Sequence, residues 1–190
     1  MKSVAVFCGA RHGASPEYTL AARELGAEIA KRGMVLVYGG GHVGLMGEVA
    51  DACLAAGGKV TGVIPDFMVA RELAMRNLTE LHVTDSMHTR KALMASRADA
   101  FIALPGGFGT LDELFEILTW RQIGLHGKPI GLLNTSNYYA SLLDFITQAT
   151  SAGFVGERES AFLQVEDSAA AMLDALAQAP QPGMGEWERS

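Results

Sequence analysis

Short apolar runs alternate with segments of helical periodicity along this chain, and that alternation constrains its fold more than any other feature. The apolar runs, each of strand length, are Val4–Cys8, Met34–Tyr38, Lys59–Ile64, Leu78–Val83, Ala100–Leu104, Pro129–Leu133 and Phe162–Val165. Strands that alternate with helices favour a parallel sheet with right-handed crossovers and helices on both faces. We therefore predict an α/β fold: a single doubly wound, Rossmann-like domain with a parallel sheet of about six or seven strands.

Capping residues indicate where the intervening helices begin and end. Ser15 and Pro16 predict the start of the first helix, and Gly33 predicts its end. The later helices are predicted over residues 44–56, 86–98, 111–125, 138–152 and 168–178. Their candidate N-caps are Asp85 or Ser86, Asn137, and Asp167 or Ser168.

Size and composition fit one folded domain. The chain has 190 residues, of which 49% are hydrophobic and 19% charged, enough to bury a substantial core. Neither a linker nor a repeat interrupts residues 1–178, so we assign that range to a single domain. Residues 179–190 are polar and contain Pro and Gly, and we expect them to form a flexible tail.

Charge and cysteine content exclude several classes of protein. A net charge of −6 argues against nucleic-acid binding, which usually requires a basic excess. Two cysteines, Cys8 and Cys53, fit reduced thiols in a cytoplasmic protein better than a disulfide framework or a zinc cluster. The histidines show no metal-ligand spacing, so we predict no metal. The N-terminal apolar run is too short for a signal peptide, and no apolar segment is long enough to span a membrane.

Four of the predicted strand ends carry turn residues, and in doubly wound sheets such ends border the ligand crevice. These ends are Cys8–Gly9, Gly39–Gly41, Pro65 and Pro105–Gly107. Gly9, Gly40 and Gly41 are therefore candidates for the wall of a nucleotide site. Residues 39–44 also match the dinucleotide fingerprint G-x-G-x-x-G, but they follow the second strand and lack a well-placed acidic residue. A tight turn or a nucleotide-lining wall is the favoured interpretation over an NAD site.

The segment from Pro105 to Glu113 carries the strongest functional signal. Gly106, Gly107, Phe108, Gly109 and Thr110 form a turn between a strand and a helix, where free N–H groups and the helix dipole attract anions. Asp112 and Glu113 follow immediately, which indicates chemistry on a phosphorylated molecule. Thr110-x-x-Glu113 is equally a capping box, with Glu113 reaching back to a backbone N–H, and Asp112 can serve only the helix dipole. Spacing alone leaves both interpretations open.

Arg90 and Lys91 lie in the first turns of a predicted helix, where cations oppose the helix dipole. That conflict indicates a neighbouring anion, with a solvated charged face as the alternative. Glu72, between Arg71 and Arg76, is either part of a ligand-facing lid or one member of a surface ion-pair cluster. The residues alone favour the surface cluster.

Four segments in combination resemble the LOG family, the cytokinin riboside 5′-monophosphate phosphoribohydrolases, called lysine decarboxylases in older naming. They are Tyr38–Gly41, Gly44–Gly47, Met87–Met94 and Pro105–Glu113, and the resemblance extends to about residue 178. It implies hydrolysis of the N-glycosidic bond of AMP or an N6-substituted AMP, giving the free base and ribose 5-phosphate. It further implies a homodimer with the site near the interface, and no cofactor.

By the same resemblance, Arg90 and Glu113 take the catalytic positions. The implied nucleotide-contacting positions are Glu72, Arg90, Lys91, Gly106, Gly107, Phe108, Gly109, Thr110, Asp112 and Thr119. Position 112 departs from plant-like members, which usually carry Glu there. A carboxylate such as Glu113 can stabilise an oxocarbenium-like sugar and orient water, while Arg90 polarises the site.

Two other functions are weighed against hydrolysis. A non-catalytic nucleotide or cofactor-binding carrier of the same fold is the alternative, and the presence of both Arg90 and Glu113 favours the hydrolase. A decarboxylase that uses pyridoxal phosphate requires a Schiff-base lysine in a cofactor-binding context, and none is recognisable in this sequence.

Overall fold

A computed structural model of the chain describes residues 1–69, 74–75 and 77–179. Seven strands, all parallel, form one sheet in the order β4-β3-β2-β1-β5-β6-β7. The strands are β1 (Ser3–Phe7), β2 (Val35–Tyr38), β3 (Lys59–Pro65), β4 (Glu80–Thr84), β5 (Ala100–Ala103), β6 (Ile130–Leu133) and β7 (Leu163–Glu166). The predicted α/β fold with a doubly wound parallel sheet is confirmed.

Helices cover both faces of this sheet. They are α1 (Pro16–Lys31), α2 (Gly44–Ala55), α3 (Asp66–Val69), α4 (Met87–Arg97), α5 (Phe108–Gln122), α6 (Ala140–Ser151), α7 (Glu157–Ser160) and α8 (Ala169–Gln178). A 3₁₀ turn at Thr135–Asn137 precedes α6. Within the described residues, no helix is both long and apolar enough to cross a bilayer.

Two apolar clusters, one on each face of the sheet, form the core. Along β1, Val4 and Val6 pack into the cluster that α1, α2 and α8 cover, while Ala5 and Phe7 pack into the cluster on the other face. Both sets of side chains are buried because a central parallel strand is covered on both faces. This burial explains why the central strands appear in the sequence as continuous apolar runs.

Several predicted helix termini are confirmed. Ser15 accepts a hydrogen bond from the Glu17 N–H at the start of α1, and Gly33 follows its end with a left-handed φ of +67°. Ser86 and Ser168 likewise cap α4 and α8 through their hydroxyl oxygens. Each such cap is worth about 1 kcal/mol of stability.

Two other helix starts differ from prediction. Helix α5 begins at Phe108, three residues before the predicted start, and its N-cap is Gly107, which has no side chain to cap with. Thr110 therefore lies inside the first turn, and the capping-box interpretation is wrong. Helix α6 begins at Ala140, and Asn137 is not its cap, because Asn137 has a left-handed φ of 60° in the preceding turn.

The predicted domain boundary at residue 178 falls at the end of α8. Of the tail predicted for residues 179–190, residues 180–190 lie outside the described part of the chain, as does Glu72.

Candidate active site

A cavity of about 660 Å³ opens at the carboxyl ends of β1 and β5. Strand order reverses between these two neighbouring strands, so the loops that follow them diverge and leave a crevice. The loop after β1 supplies residues 8–13, the turn into α5 supplies residues 105–110, and α4 and α5 supply Arg90 and Glu113. A volume of this size is typical of small-molecule sites.

The turn into α5 presents hydrogen-bond donors only, because its carbonyl groups are already bonded. The carbonyl oxygens of Leu104, Pro105, Gly106 and Gly107 accept, in that order, from Tyr139 Oη (2.6 Å), Gly9 N (3.0 Å), Tyr138 Oη (2.6 Å) and Leu111 N (3.1 Å). The N–H groups of residues 107–110 precede the first helical hydrogen bond and have no acceptor among the described residues. Free N–H groups at the positive end of a 15-residue helix form a site for an anion.

Glycine is required at position 106 by close packing. A Cβ there would lie 2.1 Å from Thr110 Oγ1 and 2.8 Å from Gly9 N, so the turn folds tightly against both the helix and the loop after β1. A Cβ at Gly107 or Gly109 would meet nothing within 4 Å, and the two glycines leave the mouth of this turn open to a ligand.

A buried ion pair between Arg90 and Glu113 lies beside this turn. Arg90 Nη1 is 2.7 Å from Glu113 Oε1, and the two side chains are only 8% and 10% exposed. Arg90 Nε also donates to the carbonyl of Val63 at 3.0 Å, which fixes the guanidinium. Burial raises the pKa of Glu113; Arg90 opposes this shift, but the net direction is upward. Glu113 Oε2 has no hydrogen-bond partner among the described residues, and Glu113 is one of the residues that line the cavity.

Lys91 has a different environment from Arg90, although the two are adjacent. Its Nζ lies 3.1 Å from Asp112 and 3.0 Å from Glu116, so it ties α4 to α5. Burial lowers the pKa of Lys91, but the hydrogen bonds to Glu116 and Asp112 outweigh burial and raise it. Asp112 is the exposed member of this cluster and also lines the cavity.

The structure brings together most of the residues predicted for the site. Residues at the cavity are Gly9, Arg90, Gly106, Gly107, Phe108, Gly109, Thr110, Asp112 and Glu113. Lys91 does not line it, and Thr119 is an exposed residue of α5 whose hydroxyl donates to the carbonyl of Phe115.

The glycines of the turn after β2 have another role. Gly40 has a φ of +73°, its carbonyl accepts from the Met75 N–H, and Gly41 forms a β-bridge with Ala74. Gly40 and Gly41 thus anchor a neighbouring segment and do not line the cavity. Gly39 lies against Arg90, since a Cβ there would be 2.1 Å from Nη2. This geometry favours the tight-turn interpretation of the glycine cluster over a dinucleotide site.

Several cavity residues were missed by sequence reasoning. They are Arg11, His12, Tyr18, Met46, Met68, Met87 and Tyr138, whereas Cys8 is predicted at a strand end bordering the crevice. Burial raises the pKa of the Cys8 thiol, so Cys8 stays neutral near the ion pair. The signal that could have identified Arg11 and His12 is their position just after a predicted strand end. Tyr138 carried no such signal because it was assigned to a helix.

The described residues contain no cluster of three or more His, Cys, Asp or Glu side chains able to hold a metal. The arrangement that is present combines an anion-binding turn, a carboxylate with one unbonded oxygen and a fixed guanidinium. Such an arrangement can hold a phosphate at one end and act on a bond at the other.

Comparison with known proteins identifies relatives across most of the chain. A family model described as "Possible lysine decarboxylase" matches residues 46–176. The chain is 53% identical over 81% of its length to the probable cytokinin riboside 5′-monophosphate phosphoribohydrolase LOGL5 of Oryza sativa subsp. japonica, and spans 63% of that protein. It is 54% identical over 81% of its length to the cytokinin riboside 5′-monophosphate phosphoribohydrolase of Rhodococcoides fascians, and spans 78% of it.

A solved structure shares the architecture. The Moco carrier protein from Chlamydomonas reinhardtii matches with a TM-score of 0.71 and 23% identity, over 93% of this chain and 96% of that one. At this level of identity the likeness establishes the fold alone.

Proposed function

The chain belongs to the LOG family, and from that premise we propose that it hydrolyses the N-glycosidic bond of AMP or an N6-substituted AMP. The products are the free base and ribose 5-phosphate. The observation that carries the proposal is the buried Arg90–Glu113 pair beside a turn that presents only N–H donors. In a nucleoside 5′-monophosphate, the phosphate and the scissile bond lie at the two ends of one ribose. The turn and the Arg90–Glu113 pair are likewise neighbours, so the turn can bind the phosphate while the pair acts on the bond.

The reaction needs two charges to be stabilised. As the bond between C1′ and the base breaks, its electrons move to the base and positive charge develops on the sugar. Glu113, through Oε2, stabilises that positive charge and orients the attacking water. Water supplies the hydroxyl at C1′ and a proton to the departing base, and the cation of Arg90 offsets the negative charge on the base. The turn at residues 106–110 holds the 5′-phosphate.

The decarboxylase description of the family model finds no support in this cavity. None of its described lining residues is a lysine, and the nearby Lys91 is engaged with two carboxylates. A Schiff base requires a free lysine amine, so we do not propose this activity.

We also infer that the protein is a homodimer. Phe115 and Thr119 on α5 and Ile123 at its C-cap recur at four-residue spacing, and the first and last are apolar side chains that are 39% and 63% exposed. Burial of this stripe in a dimer would bring Thr119 to the partner subunit, which is consistent with its place outside the cavity of its own chain. Buried free thiols at Cys8 and Cys53 support a cytoplasmic location, where cysteines stay reduced.

Chromatography of the reaction products tests the proposal. The purified protein is incubated with AMP, isopentenyl-AMP, IMP, GMP and CMP, and with the matching nucleosides as phosphate-free controls. We expect base and ribose 5-phosphate from the adenine nucleotides and far slower cleavage of the nucleosides. Equal activity on nucleosides would refute the phosphate-binding role of the turn, and no cleavage of any nucleotide would refute the hydrolase.

A further inference from the structure

The turn before α6 has a strained backbone. Ser136 and Asn137 both have left-handed backbone conformations, with φ values of 53° and 60°. Residues other than glycine adopt this conformation at a cost in free energy. Asn134 holds the turn, donating to Asn137 Oδ1 at 3.1 Å and accepting from the Tyr139 N–H at 2.8 Å. Backbone strain that is maintained by neighbouring side chains often accompanies function.

This turn delivers two tyrosine hydroxyls to the anion-binding turn. Tyr138 Oη donates to the carbonyl of Gly106 and Tyr139 Oη to that of Leu104, each at 2.6 Å. The rings are fixed as well, since Tyr138 packs edge-on against Tyr139 at 4.8 Å and against Tyr18 at 5.6 Å. Tyr139 is buried, whereas Tyr138 is 43% exposed and lines the cavity.

The carbonyl that Tyr138 holds belongs to the Gly–Gly peptide of the turn. The peptide between Gly106 and Gly107 has glycine on both sides, so its rotation meets little steric resistance from side chains. A trans peptide places its C=O and N–H on opposite sides, and a rotated peptide would exchange the Gly107 N–H for a carbonyl oxygen. That oxygen would repel an anion. By contrast, the carbonyls of Pro105 and Gly107 are held by backbone N–H groups.

We propose that Tyr138 is a positioning residue that locks the Gly106–Gly107 peptide in its anion-accepting orientation. Its hydroxyl donates a hydrogen bond to the Gly106 carbonyl oxygen and holds that oxygen away from the ligand. The N–H groups of the turn can then face a phosphate without a competing oxygen. The identity of that phosphate as the 5′-phosphate of a nucleotide rests on the proposed function; the locking itself does not.

Binding of ribose 5-phosphate to Tyr138→Phe tests the proposal. This variant keeps the ring and its packing and removes only the hydroxyl. We expect the dissociation constant for ribose 5-phosphate, measured by titration calorimetry, to rise about 5- to 30-fold, the range of one lost hydrogen bond with some rotation of the peptide. The affinity for adenine should stay within about twofold, since adenine carries no phosphate. In turnover of AMP, KM should rise while kcat changes little.

Tyr38→Phe is the matched control, because the Tyr38 hydroxyl donates to Met75 Sδ, and Tyr38 is not among the residues that line the cavity. It should bind ribose 5-phosphate as the unaltered protein does. Unchanged ribose 5-phosphate affinity in Tyr138→Phe would overturn the proposal, and so would an equal loss of adenine affinity, which would indicate a merely structural role. If the unaltered protein binds ribose 5-phosphate in a Tyr138-dependent way but cleaves no nucleotide, the proposed function fails and the locking stands.

Discussion

Gly39 determines where the guanidinium of Arg90 lies, and Gly39→Ala should therefore reduce turnover more than it reduces stability. A Cβ at residue 39 would lie 2.1 Å from Arg90 Nη2, and ordinary contact begins near 3.4 Å, so the guanidinium must recede by about 1.3 Å. Arg90 is held at 2.7 Å from Glu113 and at 3.0 Å from the Val63 carbonyl, and such a shift must lengthen at least one of these bonds. A misplacement of about 1 Å in a catalytic group commonly costs about 10²-fold in rate. We expect kcat for AMP to fall by about that factor.

Gly131→Ala provides a clash of the same size away from the cavity. A Cβ at residue 131 would lie 2.2 Å from the sulfur of Met172. Met172 belongs to the core cluster that α1, α2 and α8 cover. Overpacking of this kind costs about 1–3 kcal/mol of stability, so this variant should unfold at lower urea concentration yet keep its kcat. The assay is steady-state release of adenine, with urea unfolding measured on both variants. If Gly39→Ala is folded and keeps kcat within about twofold, the position of the Arg90 guanidinium does not control the rate.

Four further predictions concern Glu113, His126 and Ile123. Glu113→Gln should lose about 10²- to 10⁴-fold in kcat while retaining ribose 5-phosphate affinity, and near-normal adenine release would contradict its catalytic role. In the unaltered enzyme, the acid limb of kcat/KM should lie above the ordinary pKa of glutamic acid, because burial raises the pKa of Glu113. His126 is half-buried against Phe101, and its pKa is lowered from 6.5 to about 4, so the unfolded chain binds a proton that the folded chain does not. Stability should therefore fall as pH drops from 6.5 towards 4, by less than the roughly 3 kcal/mol of a fully buried group because solvent screens the exposed part of the ring. Urea unfolding of His126→Asn should lack this component. Ile123→Glu should convert the proposed dimer to a monomer in light-scattering chromatography, and an unchanged mass would exclude the stripe of Phe115, Thr119 and Ile123 as the interface.

The fold could be predicted from the sequence because its determinants are local. A parallel strand that is buried on both faces must be apolar throughout, and the caps at Ser15, Ser86 and Ser168 follow directly from residue type. The starts of α5 and α6 could not be predicted in the same way. Gly107 and Gly109 disfavour a helix by intrinsic propensity, yet α5 begins there because tertiary hydrogen bonds hold the preceding carbonyls.

Part of the site could also be predicted because its signals are local in the sequence. Glycines that precede a helix indicate an anion site on their own, and Glu113 follows them directly in the chain. The roles of Tyr138 and Glu116 depend on contacts made across the fold, with Gly106 and Lys91 respectively, and no spacing in the sequence encodes those contacts. Lys91 and Asp112 were both expected to contact the nucleotide, but in the structure they pair with each other and join α4 to α5. The sequence alone does not distinguish these two roles.

The adjacent cations Arg90 and Lys91 divide two tasks between them. Consecutive residues of a helix point about 100° apart, so Arg90 faces the cavity and Glu113 while Lys91 faces Asp112 and Glu116. A buried ion pair such as Arg90–Glu113 contributes little net stability, because desolvation offsets its Coulombic attraction. Its geometry must therefore be maintained by other contacts, and the Lys91 cluster joins the same two helices one residue away. We infer that the Lys91 cluster keeps Arg90 and Glu113 in register before any ligand binds, so that their charges need not reorganise during the proposed reaction.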